Sequence, residues 1–172
     1  MVRVGLVGLI CLAFCSCKRL ATPLEFAESQ VGVQEGSPSI WRYLLAAPDR
    51  QNVSEDEWCA AFADWCLRSA GYALPKSSLV SGWQTYGVEV TEPKLGDIAI
   101  LWGHVGFYYG KNQGGQVLLL GGNQGYQRQS HTSVCVIPVD ESSVWEYRRP
   151  IRASGGERPA PEQALGASKG EK

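Results

Sequence analysis

The chain has 172 residues, enough for one domain of ordinary size with a buried core. Its 16 basic and 17 acidic side chains nearly cancel, which excludes the strong positive charge typical of nucleic-acid binding. Two histidines and no close acidic cluster predict that the protein holds neither a metal nor another cofactor. Cys59, Cys66, Cys135 and His131 are nonetheless a nominal zinc-ligand set. We expect a monomer without a nucleic-acid partner.

The first 16 residues have the pattern of an export signal. Arg3 supplies a positive start, and the apolar run Val4–Phe14 is too short to span a bilayer. The sequence Leu-Ala-Phe-Cys-Ser-Cys at residues 12–17 resembles the processing site of bacterial lipoproteins. Cys17 is the expected lipidation site because a small serine precedes it, while ordinary secretion remains an alternative. We therefore expect an exported protein in the periplasm or cell envelope, anchored at the membrane through Cys17 and a linker at residues 17–21.

Two helices are predicted in the first 50 residues. Thr22 and Glu25 have capping-box spacing around a proline, which predicts a helix that runs to about Val31. Ser37-Pro38 begins a second helix in the same way, and Pro48 bounds it.

The segment from Ser54 to Gly71 predicts a third helix, around which the rest of the chain is organised. Ser54 and Glu57 again have capping-box spacing, and the glycine suits a C-terminal cap. Apolar residues cover most of the helix surface. We therefore expect a helix buried on most sides, with mainly Asp64 and Arg68 facing water.

Cys59 lies in the first two turns of this helix, where backbone N–H groups without intrahelical partners favour a thiolate. The thiolate is the nucleophilic form of cysteine, so Cys59 is a candidate nucleophile. A free cysteine is also a common core residue, and reactivity requires a partner base. The helix alone leaves both interpretations open.

The remaining thiols bear on that choice because export would bring them into an oxidising compartment. Cys59 and Cys66 are about 10 Å apart along one helix at 1.5 Å per residue, too far for a disulfide. Either of them can pair with Cys135, and one thiol then remains unpaired. The sequence does not choose between the two pairings.

Strand signals follow the helices. A short helical turn is predicted over residues 80–87, and five apolar runs of strand length come after it, separated by turns. Helices first and strands afterwards predict an α+β domain at residues 22–150, with N-terminal helices packed on an antiparallel β-sheet. The composition of residues 151–172 predicts a disordered tail. The five runs are Ile98–Trp102, His104–Tyr109, Gln116–Leu120, Ser133–Pro138 and Val144–Arg148.

Either histidine is a possible base for the cysteine. His104 stands at the start of a predicted strand, whereas His131 lies in a polar stretch typical of an exposed loop. An imidazole near a thiol can take the thiol proton and later donate it to a leaving amine. A histidine among glycines and aromatic residues is equally compatible with a structural role.

Four segments, in order, resemble the CHAP-type cysteine peptidases, which are relatives of the NlpC-like, papain-like peptidoglycan hydrolases of bacteria and phages. They are Trp-Cys-Ala-Ala-Phe at 58–62, Leu-Gly-Asp-Ile-Ala-Ile-Leu-Trp at 95–102, Gly-His-Val-Gly-Phe-Tyr at 103–108 and Leu-Gly-Gly-Asn-Gln at 120–124. The resemblance covers residues 24–150 and implies a papain-like fold with hydrolase activity. By position it makes Cys59 the nucleophile and His104 the base.

The same resemblance implies a third group that orients the histidine. Asn123 matches its position, and its amide oxygen would accept the second ring N–H of the imidazole; Gln124 is the alternative. An asparagine next to glycine is also typical of a tight turn. The candidate substrate-binding residues are Trp58, Ser81, Trp83 and Gln124.

The implied function is cleavage of peptidoglycan amide bonds through a thioester, with stem peptides as the substrate partner. One alternative is a non-catalytic envelope binding module on the same fold. That alternative predicts a Cys59–Cys135 disulfide, or a His104 side chain that points away from Cys59. Another alternative is a secreted antibacterial amidase toxin with the same chemistry.

Overall fold

A computed structural model describes residues 20–49, 57–125 and 131–154. Within these residues the chain forms four α-helices, one short 3-10 helix and a six-stranded sheet, which confirms the predicted α+β class. The predicted export signal, Cys17 and most of the predicted tail lie outside the described residues. None of the helices in the described part of the chain has the length and apolar character that crossing a bilayer requires.

The helices are α1 (Pro23–Glu28), α2 (Ser39–Ala46), α3 (Cys59–Ser69) and α4 (Val80–Trp83). The strands are β1 (Val88–Val90), β2 (Ile98–Leu101), β3 (His104–Lys111), β4 (Val117–Gln124), β5 (Ser133–Val139) and β6 (Val144–Arg149). The spatial order is β1-β6-β2-β3-β4-β5, and every neighbouring pair is antiparallel. The antiparallel sheet and all five predicted strands are therefore confirmed, while the short edge strand β1 is additional.

The first two helices begin close to their predicted starts. The Thr22 hydroxyl accepts the Glu25 N–H, and the Glu25 carboxylate accepts the Thr22 N–H, which confirms the capping box. Helix α1 ends before the predicted Val31, and turns follow it. Helix α2 starts one residue after Pro38, which is its N-cap.

Helix α3 begins later than predicted. Trp58 is its N-cap and Cys59 its first residue, so the predicted role of Glu57 inside the first turn is wrong. Ser54, the other half of that predicted box, lies outside the described residues. The helix is buried along most of its length, as its composition predicts.

The prediction that Asp64 faces water is also wrong. Its side chain is fully buried and accepts a hydrogen bond from the Ser78 hydroxyl. Arg68 is half-buried, and its guanidinium donates to the Ala46 carbonyl oxygen at 2.9 Å. Asp64 therefore lies against the loop at Ser78, and Arg68 lies against the end of α2.

The sheet has apolar side chains on both faces, as strand β2 illustrates. Ile98 and Ile100 pack into the main core with the helices, while Ala99 and Leu101 join a smaller cluster with Leu119. Alternate residues of a strand point to opposite faces, which accounts for this division. Burying one isoleucine of the main core stabilises the fold by about 2 kcal/mol relative to leaving it exposed.

The folded domain continues past the predicted boundary at residue 150. The Ala73 N–H donates to the Ile151 carbonyl oxygen at 2.9 Å. Arg152 forms a bridge with Tyr72, and its guanidinium carbon lies 4.7 Å from the Tyr72 ring centroid. Residues 151 and 152 therefore belong to the domain rather than to the predicted tail.

Candidate active site

The start of α3 and the ends of several strands meet at one end of the sheet. Cys59 is the first residue of α3, His104 the first of β3 and Gln124 the last of β4. The register of β3 and β4 brings the last two together, because Phe107 pairs with Leu120 and the antiparallel strands continue from that pair towards His104 and Gln124. This end of the sheet is the candidate active site.

A glycine in β4 lets the cysteine helix come close to the sheet. A Cβ atom on Gly122 would lie 2.5 Å from the Trp58 ring and 2.8 Å from the Phe62 Cβ. Carbon atoms do not approach that closely without displacing their neighbours. Glycine is therefore required where β4 passes the first turn of α3, and this close packing fixes Cys59 beside the strands.

Strand β4 carries a bulge at this point. Gly121 pairs with Cys135 and Gln124 pairs with Ser133, so β4 contains one extra residue between these pairs. Asn123 lies inside the bulge and has a positive φ of 57°, a conformation that asparagine adopts more readily than most residues. An extra residue changes the face to which the following side chain points.

Gln124 is the side chain that the bulge directs to the histidine. Its Nε2 donates to three backbone carbonyl oxygens, those of Leu119 at 3.2 Å, Gly121 at 3.3 Å and Cys135 at 2.6 Å. These contacts fix the amide orientation and leave Oε1 3.0 Å from His104 Nε2. Because Oε1 only accepts, the imidazole carries its proton on Nε2 and has its lone pair on Nδ1.

The expected contact between Asn123 and this ring nitrogen is therefore corrected. Gln124, the alternative, holds His104 Nε2, because the bulge adds a residue that the spacing in the sequence does not reveal. Gln124 is buried, so its expected role in contacting substrate is corrected as well.

The Cys59 sulfur lies at the beginning of β3. The backbone N–H groups of Val105, the residue after His104, and of Cys59 and Ala60 lie close to it. These three groups lower the pKa of the thiol, but burial raises it more, so the net pKa is raised. The helix-start amides thus act in the predicted direction, but burial outweighs them.

The histidine is shifted towards its neutral form. Burial lowers the pKa of His104, and the hydrogen bond to Gln124 opposes that effect only in part. A raised thiol pKa and a lowered imidazole pKa both favour an uncharged pair at rest. Proton transfer between these groups would then accompany attack on a substrate rather than precede it.

Two of the predicted substrate-binding residues are core residues. Trp58 and Trp83 are both fully buried, which makes their expected contact with substrate wrong. Trp58 stacks on Tyr43 with ring centroids 5.9 Å apart, and Trp83 packs edge-on against Tyr86. Ser81 is exposed on α4 and remains a candidate contact.

All three cysteines in the described part of the chain are free thiols. Neither of the possible disulfides to Cys135 is present, including the Cys59–Cys135 bond that the binding-module alternative predicts. Among the described residues no group of three or more histidine, cysteine or acidic side chains is placed to hold a metal ion. His131 is exposed, as predicted.

The Val105 amide is the feature of this site that the sequence gives no means of predicting. A backbone N–H has no residue signature, and its direction depends on which strand edge is left open. Residue 105 precedes the Phe107–Leu120 pair at which the β3–β4 register begins, so its amide is available to the cysteine.

Comparisons of the chain with family models, with curated proteins and with solved structures found no match. The function therefore rests on the geometry of the site and on the residues that form it.

Proposed function

We propose that the protein is a papain-like cysteine hydrolase that cleaves amide bonds of peptidoglycan. The observation that carries the proposal is the fixed Gln124–His104 hydrogen bond, which leaves Nδ1 of the imidazole as the basic nitrogen. The backbone N–H of Val105, the next residue along the chain, acts on the Cys59 thiol and lowers its pKa, although burial raises it more. A thiol, a base and an orienting group thus come from three adjoining elements, which is the arrangement that nucleophilic catalysis requires.

The proposed reaction has two stages. His104 Nδ1 takes the Cys59 proton as the sulfur bonds to the amide carbon, giving a tetrahedral oxyanion. The carbon–nitrogen bond then breaks, the imidazolium donates its proton to the leaving amine, and a thioester remains. Water attacks the thioester and gives a proton to Nδ1; cleavage of the sulfur–carbon bond releases the acid, and the thiol recovers its proton.

Backbone amides at the start of α3 provide the positive potential that the oxyanion needs. The N–H groups of Cys59 and Ala60 have no carbonyl partner within the helix because they belong to its first turn. Preorganised donors of this kind stabilise developing negative charge, typically by about 3 kcal/mol each. They already lie near the sulfur, where the oxyanion would form.

The substrate class follows from the resemblance of four ordered segments to CHAP-type and NlpC-like enzymes. Peptidoglycan stem peptides contain the amide bonds on which this chemistry acts, and exposed Ser81 would contact them. The proposal includes export, a lipid anchor at Cys17 and a location in the cell envelope. A secreted amidase toxin would use the same residues against another cell's wall.

One observation favours the non-catalytic alternative. Only 6% of the Cys59 surface is exposed to solvent. Burial favours the thiol form, which is not the nucleophile. A binding module on this fold would leave peptidoglycan unchanged, so product formation separates the two functions.

The test is digestion of purified peptidoglycan by the full chain, with new amines and shortened fragments identified by mass spectrometry. We expect products from the wild type and none from Cys59→Ala. Cys66→Ala is the matched control, because it removes a buried thiol from the same helix away from its N-terminus. No products from the folded wild type, or equal activity in Cys59→Ala, would overturn the proposal.

A further inference from the structure

Two tryptophans form an exposed aromatic corner beside the candidate active site. Trp102 is 84% exposed and Trp145 is 50% exposed. Their ring centroids are 5.4 Å apart and their planes meet at 76°, an edge-to-face contact. The two rings contact each other, and most of the Trp102 surface remains accessible to solvent.

The backbone holds both rings in place. Trp102 is the first residue of the two-residue turn between β2 and β3, because Leu101 pairs directly with His104. Trp145 is the extra residue of a bulge in β6, where Ile100 pairs with Glu146 and Leu101 with Val144. A bulge redirects a side chain, and bulges are frequent next to active sites.

The corner lies close to the proposed base. Trp102 precedes His104 by two residues, so their Cα atoms are at most about 7 Å apart. Two indoles present far less area than the roughly 800 Å² per partner of a stable protein interface. The size and position of the corner therefore suit one ring of a small ligand that extends into the site.

We propose that Trp102 and Trp145 bind a sugar ring of the glycan strand. The C–H groups on the face of a pyranose carry partial positive charge and are apolar, which suits the negative face of an indole. Ser142 and Ser143, just before Trp145 in the chain, are exposed, and their hydroxyls can bond to those of the sugar. The inference rests on the proposed function and deepens it: a sugar bound this close to His104 favours the sugar–peptide amide over a cross-link as the bond that is cut.

The test measures binding without turnover. The full chain carrying Cys59→Ala is titrated with a β-1,4-linked N-acetylglucosamine tetramer while the indole N–H signals are followed by NMR. We expect the signals of Trp102 and Trp145 to shift and that of buried Trp83 to stay. Trp102→Ala and Trp145→Ala should each weaken binding at least tenfold, whereas Trp41→Ala, which removes a half-exposed indole on α2, should leave it unchanged.

A sugar-free stem peptide is the second probe. Shifts of the two indoles with the peptide but not with the tetramer would overturn the proposal and assign the corner to the peptide. An absence of sugar binding, or equal weakening by Trp41→Ala, would also overturn it. Because the assay needs no cleavage, sugar binding in a protein that proves to be inactive would refute the hydrolase and leave the sugar site standing.

Discussion

The side-chain oxygen of Gln124 lies 3.0 Å from Nε2 of His104, and the amide cannot be flipped without loss. Flipping would turn its oxygen towards the carbonyls of Leu119, Gly121 and Cys135 and leave them without a donor. The buried glutamine therefore selects one imidazole tautomer. A glutamine is thus the group that positions the histidine, and its neighbour Asn123 forms the bulge that makes this possible.

Replacing this glutamine should impair both activity and stability. Gln124→Met keeps the side-chain length but removes the acceptor for the imidazole N–H and the donor to the three carbonyls. We expect kcat/KM to fall at least about tenfold because the tautomer is no longer fixed. The unsatisfied carbonyls should lower the free energy of unfolding by about 1–3 kcal/mol. Steady-state kinetics and urea unfolding measure the two effects separately.

Asn123→Gly is the matched control for that variant. Glycine suits the positive φ of residue 123, so the bulge and the Gln124–His104 contact should persist. We expect kcat/KM within about threefold of the wild type. A loss of activity as large as that of Gln124→Met would restore Asn123 as the orienting residue.

Alkylation of Cys59 should require alkaline conditions. Burial raises the pKa of this thiol, so the rate with iodoacetamide should still be rising with pH above the ordinary thiol pKa of about 8.5. Peptide mapping by mass spectrometry distinguishes Cys59 from half-buried Cys135. A rate that reaches its plateau below pH 8.5 would show instead that the helix-start amides outweigh burial.

The buried carboxyl of Asp64 should make stability depend on pH. Burial raises its pKa to about 7, although the Ser78 hydrogen bond lowers it in part; Asp49 raises it by a smaller amount and Arg68 lowers it by less still. The folded state therefore holds a proton that the unfolded state loses above about pH 4. The contribution of this group to the free energy of unfolding is largest below about pH 4. It falls as the pH rises from about 4 to about 7, and it is constant above about pH 7.

Asp64→Asn isolates that contribution, because an asparagine can still accept the Ser78 hydroxyl and does not ionise. We expect the variant to gain stability relative to the wild type as the pH rises from about 4 to 7, by a few kcal/mol in total. Thermal unfolding of both proteins across this range provides the measurement. A difference that does not change with pH would mean that Asp64 titrates normally.

Gly122→Ala should disturb the packing of α3 on β4. The new methyl group would overlap Trp58 and Phe62, both of which are fully buried and unable to move freely. We expect a loss of about 1–3 kcal/mol and lower activity, because Cys59 follows Trp58. Gly114→Ala is the control: its Cβ would come no closer than 3.4 Å to a neighbour, so the melting temperature should barely change.

Local signals in the sequence predict most of the fold. The capping box at Thr22 and continuous apolar runs such as Ile98–Leu101 act over a few residues, so they can be read from the chain directly. The start of α3 is predicted wrongly, because Glu57 has capping-box spacing but lies before the first residue of the helix. The burial of Asp64 is not predictable from its polar side chain, because it depends on the distant loop at Ser78, whose hydroxyl donates to the carboxylate.

The site is predictable only in part, for a physical reason. The choice of Cys59 and His104 follows from the sequence, as does the place of His104 at the start of a strand. The choice between Asn123 and Gln124 depends on a bulge, and the exposure of Trp145 depends on another. A one-residue change of register reverses a side chain's direction and has no local signature strong enough to predict it.

The measurement that tests the central claim most directly is capture of the thioester. The wild-type chain is mixed with a defined muropeptide, quenched in acid within the first turnover and mapped by mass spectrometry. We expect the mass of the acyl fragment on Cys59 and on no other cysteine, with less of it formed by His104→Ala. Released product accompanied by an unmodified Cys59 at every quench time, together with full activity of Cys59→Ala, would contradict the account.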